Sequence, residues 1–285
     1  MREGESILIQ SFSVFVVLLV FLLGYGFFVS PYLGQEEDSQ QEVLPATDVL
    51  SVVDQSNPYA YDCPENSPVF RVPSDYSTIQ GAVDAALETT IISVAPGVYT
   101  ESIVLKPGIC LVAEEFGKSE IQSLGDTIVQ MSSESKIENF KINGLDSSRT
   151  GISVIDAQGV NIQINAFENL QYGVLSSENS QLSVNSNSFR FVDYAIFAEN
   201  SSFFVEQNNI DANIAGLDVT SCDGEITGLV VEGGEYGVKS ENSDLFLNIN
   251  IFRNQTLAAL MLSNEGNYEI GDNFFDNVDE EILYQ

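Results

Sequence analysis

Five asparagines recur at a nearly constant spacing through the second half of the chain. The intervals between them are 22, 21, 42 and 23 residues, and the third interval is twice the second. A period of this length is typical of proteins built from stacked repeats. Because asparagine tolerates the left-handed backbone conformation, we predict that each one turns the same corner of successive repeats. The asparagines are Asn165, Asn187, Asn208, Asn250 and Asn273, and each precedes by two positions a large apolar residue, namely Phe167, Phe189, Ile210, Phe252 and Phe275.

Within each repeat, apolar residues alternate with polar ones, as in strands that bury one face. A repeat of about 22 residues suits three short strands and three corners. The sequence therefore predicts an all-β parallel β-helix with turns stacked ~4.8 Å apart and the phenylalanines stacked inside. The hexapeptide repeats of a left-handed β-helix and the fixed leucines of a horseshoe are both absent. In the less regular residues 112–150, the expected inward side chains are Met131, Ile137, Phe140, Ile142 and Leu145.

The start of the repeat region has a pattern of its own. Residues 79–87 predict a short amphipathic helix with Ile79, Val83 and Leu87 on its buried face. Residues 91–95 and 98–105 predict two strands separated by a Pro-Gly turn. A helix at this point would cover the open end of a parallel array.

The same segments resemble a known family. Residues 77–86 (STIQGAVDAA) and 92–101 (ISVAPGVYTE) are similar to the entrance coil of the pectin-lyase-like superfamily of right-handed parallel β-helices, particularly that of pectin methylesterases. The resemblance covers about 40 residues and implies a right-handed parallel β-helix over residues 68–285. It also implies that Gly97, Tyr99 and Glu101, a G-x-Y-x-E motif, shape the first coil.

An uncharged run of 23 residues, 7–29, is long enough to cross a bilayer as a helix. Arg2 precedes the run and acidic residues follow it, so the positive-inside rule places residues 1–6 in the cytoplasm. Because the apolar core of a cleaved signal peptide has about 7–15 residues, we predict an uncleaved, single-pass signal anchor instead. Residues 30–67 are acidic and proline-rich and predict an extended tether. The β-helix domain would then be extracellular or periplasmic.

The chain carries 42 acidic and 10 basic residues, a net charge of −32, and it contains no histidine. Such a charge repels nucleic acid, so we expect no nucleic-acid partner, and it suits cations or cationic partners. Both a halophilic source and an ordinary acidic surface fit this composition. Without histidine the chain cannot build a Ser–His–Asp triad or a histidine-based metal site.

The three cysteines are too few for a disulfide framework. A bridge between Cys63 and Cys110 would form in an oxidising compartment and would fix the end of the tether to the repeats. Buried free thiols at these two positions, as at Cys222, are an equal alternative.

Three tyrosines are candidate ligand-binding residues. Tyr172, Tyr194 and Tyr236 occupy equivalent positions in three of the repeats. If they point outward, their rings could stack on sugars; if they point inward, they belong to the core.

Three glutamates are candidate metal ligands. Glu178, Glu199 and Glu241 are each followed by Asn-Ser at a second corner. Stacked carboxylates could hold Ca²⁺, which takes six to eight oxygen ligands, or could lie in a solvated turn. We expect no cofactor besides this potential Ca²⁺.

The sequence lacks a complete catalytic set. The later motifs of pectin methylesterases have no counterpart, and the arginines of the array stand in no lyase context. Two of the scattered aspartates could act as general acid and base if they lay ~5–9.5 Å apart. We therefore predict a membrane-anchored extracytoplasmic protein that binds polysaccharide or another envelope component without catalysis. The alternative is a polysaccharide-active enzyme, a lyase or glycoside hydrolase, with an atypical acidic site that could use Ca²⁺.

Overall fold

The computed structural model describes residues 57, 59–145 and 149–285, which lie within the compact unit Asp54–Gln285. Within these residues, no helix is both long and apolar enough to span a bilayer. The predicted cytoplasmic residues 1–6 and signal anchor 7–29 lie outside the described residues, as does most of the predicted tether 30–67.

The described part of the chain winds into a parallel β-solenoid of about ten turns and includes one short helix, α1 (Ile79–Ala85). Strands are numbered in chain order. One strand of each turn joins a ten-stranded sheet, which comprises β1 (Val69–Val72), β2 (Ile91–Val94), β5 (Cys110–Ala113), β8 (Ser135–Glu138), β11 (Val160–Gln163), β13 (Gln181–Asn185), β15 (Ser202–Glu206), β17 (Asp223–Thr227), β20 (Asp244–Asn248) and β23 (Asn267–Ile270).

The other strands of each turn form a fifteen-stranded sheet. It comprises β3 (Gly97–Thr100), β4 (Ile103–Val104), β6 (Ser119–Gln122), β7 (Thr127–Met131), β9 (Lys141–Asn143), β10 (Thr150–Ile155), β12 (Ala166–Ser177), β14 (Ser188–Glu199), β16 (Asn209–Thr220), β18 (Val230–Glu232), β19 (Tyr236–Glu241), β21 (Ile251–Arg253), β22 (Ala258–Leu262), β24 (Phe274–Asp276) and β25 (Ile282–Tyr284). Most turns contribute two separate strands to it, whereas β12, β14 and β16 are single strands of 12 residues that cover both positions.

Each strand pairs in parallel with its equivalents in the turns before and after it. Phe167 pairs with Phe189 and Phe189 with Ile210, so positions one repeat apart in sequence are neighbours in space. The predicted parallel β-helix with three strand positions per turn is thus confirmed.

The interior holds stacked aliphatic and aromatic side chains, but the predicted phenylalanine stack is interrupted. Phe167 and Phe189 stack at 4.6 Å between ring centroids, and Phe252 and Phe275 stack at 5.8 Å. The two turns between these pairs carry Ile210 and Val231 at the same position. The core therefore contains two stacked aromatic pairs separated by aliphatic residues.

The asparagine ladder is confirmed, but the backbone role that we predicted for it is wrong. None of its five asparagines has a positive φ. The left-handed residue is the one before the ladder position in five turns, namely Ile164, Ser186, Gln207, Gly228 and Ile249. The asparagines instead satisfy polar groups of neighbouring turns; for example, Asn208 Nδ2 donates to the Val184 carbonyl at 2.8 Å. Leu229 occupies the place where the sequence period skips an asparagine, and its N–H donates to Asn250 Oδ1 at 2.9 Å.

Helix α1 covers the first turns, as predicted. Ile79 and Val83 are fully buried, but Leu87 is 80% exposed because the helix ends at Ala85. The prediction that Leu145 points inward is also wrong, because this residue is 47% exposed and has a φ of +65°. Four of the inward residues expected in the region 112–150 are buried, namely Met131, Ile137, Phe140 and Ile142.

The G-x-Y-x-E motif joins the first coil to helix α1. The Glu101 carboxylate accepts hydrogen bonds from the N–H groups of Ile79 and Gln80 at 3.0 and 2.9 Å. Tyr99 donates its hydroxyl to the Ala95 carbonyl at 2.8 Å. Because Glu101 turns toward the helix, the strand predicted over residues 98–105 is divided into β3 and β4.

A segment before the first strand lies across the outer face of the ten-stranded sheet. We call residues 57 and 59–63 the strap. Cys63 is joined to Cys110 by a disulfide, which resolves the alternative left open by the sequence, and Cys222 is a buried free thiol. The strap then contacts the next three turns in order. Asp62 forms an ion pair with Lys136 at 3.0 Å, and the Tyr61 carbonyl accepts a hydrogen bond from Asn161 Nδ2 at 3.1 Å. Asn57 Nδ2 donates to the Ser183 hydroxyl at 2.5 Å.

Candidate functional site

Two of the predicted tyrosines form a cluster with a phenylalanine that the sequence analysis did not select. Tyr172 and Tyr194 pair in register on β12 and β14, and their rings stack at 5.3 Å with an interplanar angle of 21°. Phe197 contacts both rings edge-on, at 5.2 Å from Tyr172 and 6.0 Å from Tyr194. We call these three side chains the aromatic platform.

The aromatic platform lies on the outer surface of the solenoid. Phe197 stands between Ile196 and Ala198, which are each 1% exposed and face the core. Because neighbouring residues of a strand point to opposite faces, Phe197 points outward, and the tyrosine rings that touch it lie outside as well. All three rings are half-buried.

Tyr236 shares the register column of the platform tyrosines but does not join them. Tyr194 pairs with Ala215, and Ala215 pairs with Tyr236. Two turns therefore separate the two tyrosines, a distance of ~10 Å along the stack. The small side chain of Ala215 leaves a gap in the column between them.

An ion pair between a buried aspartate and a half-buried lysine lies beside the platform. Phe197 pairs in register with Asp218, and Asp218 pairs with Lys239. Lys239 Nζ lies 3.1 Å from Asp218 Oδ2 and 3.9 Å from Glu241 Oε1. Asp218 is only 7% exposed although it belongs to the outer face. The sequence signal was available, because Asp218 and Lys239 are 21 residues apart, one repeat length.

Burial and charge shift the ionisation of these groups. Burial raises the pKa of Asp218 despite the opposing effect of Lys239. Burial alone would lower the pKa of Lys239, but its hydrogen bond to Asp218 and the nearby carboxylates raise it overall, so the lysine stays protonated. Burial also raises the pKa of Tyr194, with a further contribution from Asp218. The platform thus borders a charged pair with hydrogen-bonding capacity.

A second polar pair lies next to Tyr194 in the sequence. Asn213 Nδ2 donates to Asp193 Oδ1 at 3.0 Å, and both side chains are accessible at the surface. The aromatic platform therefore has carboxylate and amide groups near its edge as well as the Asp218–Lys239 pair.

The glutamates predicted as a metal site do not form one continuous column. Glu199 pairs with Thr220, and Thr220 pairs with Glu241, so a threonine separates these two glutamates. Ser176 pairs with Ala198, which places Glu178 one position further along its turn than Glu199. The described residues contain no group of three or more acidic, cysteine or histidine side chains arranged to hold a metal ion.

The stacked turns, the asparagine ladder and the fully parallel register define the protein as a parallel β-helix. Its family and its structural neighbours are right-handed β-helices of the pectin-lyase-like type, as the entrance coil had indicated. The chain belongs to the NosD family, whose model is described as periplasmic copper-binding protein (NosD) and matches residues 116–282. A comparison with curated proteins finds no match.

Solved structures share the fold at low sequence identity. The enzymatically active domain of bacteriophage CBA120 tailspike protein 2 has a TM-score of 0.58 and 13% identity over 76% of this chain and 41% of that chain. Pectate lyase Pel9A also has a TM-score of 0.58, with 10% identity over 80% of this chain and 79% of that one. An alginate lyase from Paenibacillus sp. str. FPU-7 has a TM-score of 0.50 and 12% identity over 72% and 94%. This chain spans about two fifths of the tailspike chain.

The side chains that the structure describes do not suit copper. Copper in proteins is held by imidazole, thiolate or thioether ligands, and the chain has no histidine. Met131 and Met261 are core residues with 2% and 4% exposure. Burial raises the pKa of the Cys222 thiol, which donates to the carbonyls of Ala198 and Thr220. We therefore assign no copper chemistry to these residues.

Proposed function

We propose that this protein is an extracytoplasmic β-helix that binds polysaccharide or another glycan of the cell envelope on the aromatic platform, without catalysis. The observation that supports this most is the stacked pair Tyr172 and Tyr194 on the outer surface, with Phe197 at its edge. Aromatic rings offer a flat apolar surface for the C–H face of a sugar, while the tyrosine hydroxyls remain available to hydrogen-bond.

The polar surroundings fit the same proposal. Carbohydrate recognition requires hydrogen-bonding groups held at fixed positions around an apolar contact. Asp218 and Lys239 are fixed by their ion pair, and Asp193 by its hydrogen bond to Asn213. Because the platform lies along the stack of turns, a polymer could run over several turns at once.

The proposed location rests on three observations of different kinds. The Cys63–Cys110 disulfide suits an oxidising compartment outside the cytoplasm. The family is described as periplasmic. The uncharged residues 7–29 have the length of a membrane anchor, so we propose that a single-pass helix holds the β-helix domain at the outer side of the membrane.

A glycan array tests the proposal directly. The full-length chain, purified in neutral detergent, should bind one class of glycan, and Tyr172→Ala together with Tyr194→Ala should abolish that signal. The doubly substituted chain should melt close to the parent temperature, since both rings are half-buried. If the parent chain bound no glycan, or if the double variant bound as well as the parent, the proposal would be wrong.

A second candidate function is supported by one specific observation. Two carboxylates and a basic group, Asp218, Glu241 and Lys239, converge on one outer face beside the platform. In a lyase reaction, a base would remove the proton next to the uronate carboxylate. The C–O bond to the leaving sugar would break, its oxygen would take up a proton, and a carbon–carbon double bond would form. Against this candidate, a net charge of −32 repels uronate polymers.

The product of such a reaction separates the two functions. An unsaturated uronate absorbs ultraviolet light, so incubation with pectate or alginate, with Ca²⁺ or with a chelator, would reveal lyase activity. Activity that disappears in Asp218→Asn would favour the enzyme. Glycan binding with no absorbance change in any condition would favour binding alone.

A further inference from the structure

A groove lies on the opposite sheet from the aromatic platform, beside the strap. It has a volume of about 950 Å³ and follows the outer face of the ten-stranded sheet from β15 to β23. Its floor is a register column in which Phe204 pairs with Glu225, Glu225 with Phe246, and Phe246 with Glu269. Tyr59 of the strap forms part of the lining. We call this feature the acidic groove.

The acidic groove combines aromatic rings with negative charge. Among the described residues, four carboxylates line it, those of Asp223, Glu225, Asp244 and Glu269, and no lysine or arginine does. Phe204, Phe246 and Glu225 are half-buried and alternate along the floor. Burial raises the pKa of Glu225, and the nearby charge of Glu206 raises it further. A positively charged ligand would relieve this repulsion.

The strap shows how this face of the sheet holds an extended chain. The column that forms the groove floor continues through Ser183, Asn161, Lys136 and Cys110, because each pairs in register with the next. The strap contacts these four residues in order, crossing the turns at right angles to their strands. Ser183, the last of them, pairs directly with Phe204. Among the described residues, the acidic groove is therefore the continuation of the face on which the strap lies.

We propose that the acidic groove binds an extended, lysine-rich segment of a partner protein. Lysine stems would pack on Phe204 and Phe246, where their ammonium groups gain cation–π attraction. The same ammonium groups would lie near Glu225 and the other carboxylates, because phenylalanine and glutamate alternate from turn to turn. Four turns span ~14 Å, which an extended chain of about four to five residues covers.

The charge and the shape of the acidic groove favour a cationic peptide as its ligand. Nucleic acids and uronate polymers are repelled by the four carboxylates. The glycan proposed for the aromatic platform would meet a different surface, on the other sheet, so the two proposals can fail independently. A cationic amino sugar polymer shares the charge of a lysine-rich peptide, and the experiment includes it as a competing outcome.

The chain contains no tryptophan, so a single substitution supplies a specific probe. In the full-length Phe246→Trp variant, oligolysine should shift the tryptophan emission with a saturable titration, whereas oligoglutamate should not. Labelled oligolysine should bind the parent chain, and Phe204→Ala and the pair Glu225→Gln with Asp244→Asn should each weaken binding about five- to tenfold.

Matched controls separate the groove from general attraction to an acidic surface. Phe274→Ala removes a ring that is 56% exposed on the other sheet, and Glu178→Gln removes an exposed corner charge. Both should bind oligolysine like the parent. Equal weakening by the control and groove variants would overturn the proposal, since binding would then reflect net charge alone. Binding of a chitosan oligomer but not of oligolysine would overturn it in favour of a cationic polysaccharide.

Discussion

Asn187 and Asn208 occupy the same corner of adjacent turns, and Asn187 Nδ2 donates to Asn208 Oδ1 at 3.0 Å. The same oxygen accepts the backbone N–H of Asn187 at 2.9 Å. The same arrangement recurs one turn earlier, where the backbone N–H and the Nδ2 of Asn165 both donate to Asn187 Oδ1. Asn187 Nδ2 also donates to the Ile162 carbonyl at 2.9 Å. Each ladder residue thus satisfies buried backbone groups of its neighbours.

Replacing Asn187 should therefore be costly. Asn187→Ala leaves the buried Asn165 N–H without its acceptor and removes the hydrogen bonds from Asn187 to Asn208 and to the Ile162 carbonyl. An unsatisfied buried group costs about 1–3 kcal/mol, and each lost hydrogen bond about 1 kcal/mol. We expect the free energy of unfolding to fall by about 3 kcal/mol or more, measured by urea denaturation. Asn209→Ala is the control, because this exposed asparagine follows Asn208 in the next turn and lies outside the ladder, and it should change stability little. Equal effects at the two positions would show that the ladder is not a source of stability.

Gly224 makes room for a core ring. A Cβ added at Gly224 would lie 2.0 Å from Phe203 Cε2, and Phe203 is 1% exposed, so this packed ring would have to move to accept it. Overpacking of this kind costs about 1–3 kcal/mol, so Gly224→Ala should lower the melting temperature clearly. Gly97→Ala is the matched control, because its Cβ would meet nothing closer than 3.5 Å. A harmless Gly224→Ala would mean that Phe203 can repack.

The sequence period was enough to predict the winding of the chain, because each turn repeats the same corner and the same inward positions. It located the ladder at Asn165 and its equivalents but assigned the wrong physical role. The left-handed residue precedes the asparagine and varies from Ile to Ser to Gly, so no residue preference marks it. Hydrogen bonding between turns depends on register, which a repeat length alone does not specify.

The candidate site was predictable only in part for the same reason. Tyr172 and Tyr194 were recognised as one column, but whether they face outward depends on the local path of β14 near Val192, where its register with β16 shifts. The three glutamates have the same Glu-Asn-Ser context, so the sequence predicted equivalent positions for them. In the register of the sheet, however, Glu178 lies one residue beyond the position equivalent to Glu199. Apart from the Cys63–Cys110 bridge, the strap contacts join residues up to 126 positions apart that no sequence pattern predicts.

Removing Lys239 should destabilise the protein in a pH-dependent way. Lys239→Met leaves the Asp218 carboxylate buried and unpaired, and we expect a loss of about 1–2 kcal/mol at pH 7 because the lysine is partly exposed. The pKa of Asp218 is already raised, so the folded state binds its proton more tightly than the unfolded state does. The associated stability is present at acidic pH and is lost as the pH rises through the folded pKa.

The loss in free energy of unfolding caused by Lys239→Met should therefore shrink as the pH falls from 7 toward 4, because Asp218 in the variant becomes protonated. We call this loss the deficit of the variant. Melting curves of both chains at several pH values measure this difference. Asp218→Asn combined with Lys239→Met is the control, because it has no carboxyl at position 218. The stability difference between Lys239→Met and this double variant therefore isolates the ionisation of Asp218 and should shrink as the pH falls. A deficit for Lys239→Met that stayed constant would show that Asp218 has the same pKa in the variant as in the parent, so that Lys239 does not influence its ionisation.

The aromatic platform should matter more for glycan binding than the isolated tyrosine of the same column. Tyr194→Ala removes the ring that contacts both Tyr172 and Phe197, and we expect affinity to fall about tenfold. Tyr236→Ala, two turns away, should have a smaller effect. Isothermal titration with the glycan selected on the array measures both variants. A larger loss for Tyr236→Ala would instead place the ligand across the gap at Ala215.

The Cys63–Cys110 disulfide should hold the strap on the sheet. It closes a loop with a sequence separation of 47, and a crosslink of this size stabilises by about 3–4 kcal/mol. Reductant should therefore lower the melting temperature of the parent and speed hydrogen exchange of Asn161, whose Nδ2 donates to Tyr61. The double variant Cys63→Ser with Cys110→Ser should begin at the lower melting temperature and be insensitive to reductant. If reductant left the parent unchanged, the polar contacts of the strap alone would suffice, because Lys136 and Asp62 persist without the bridge.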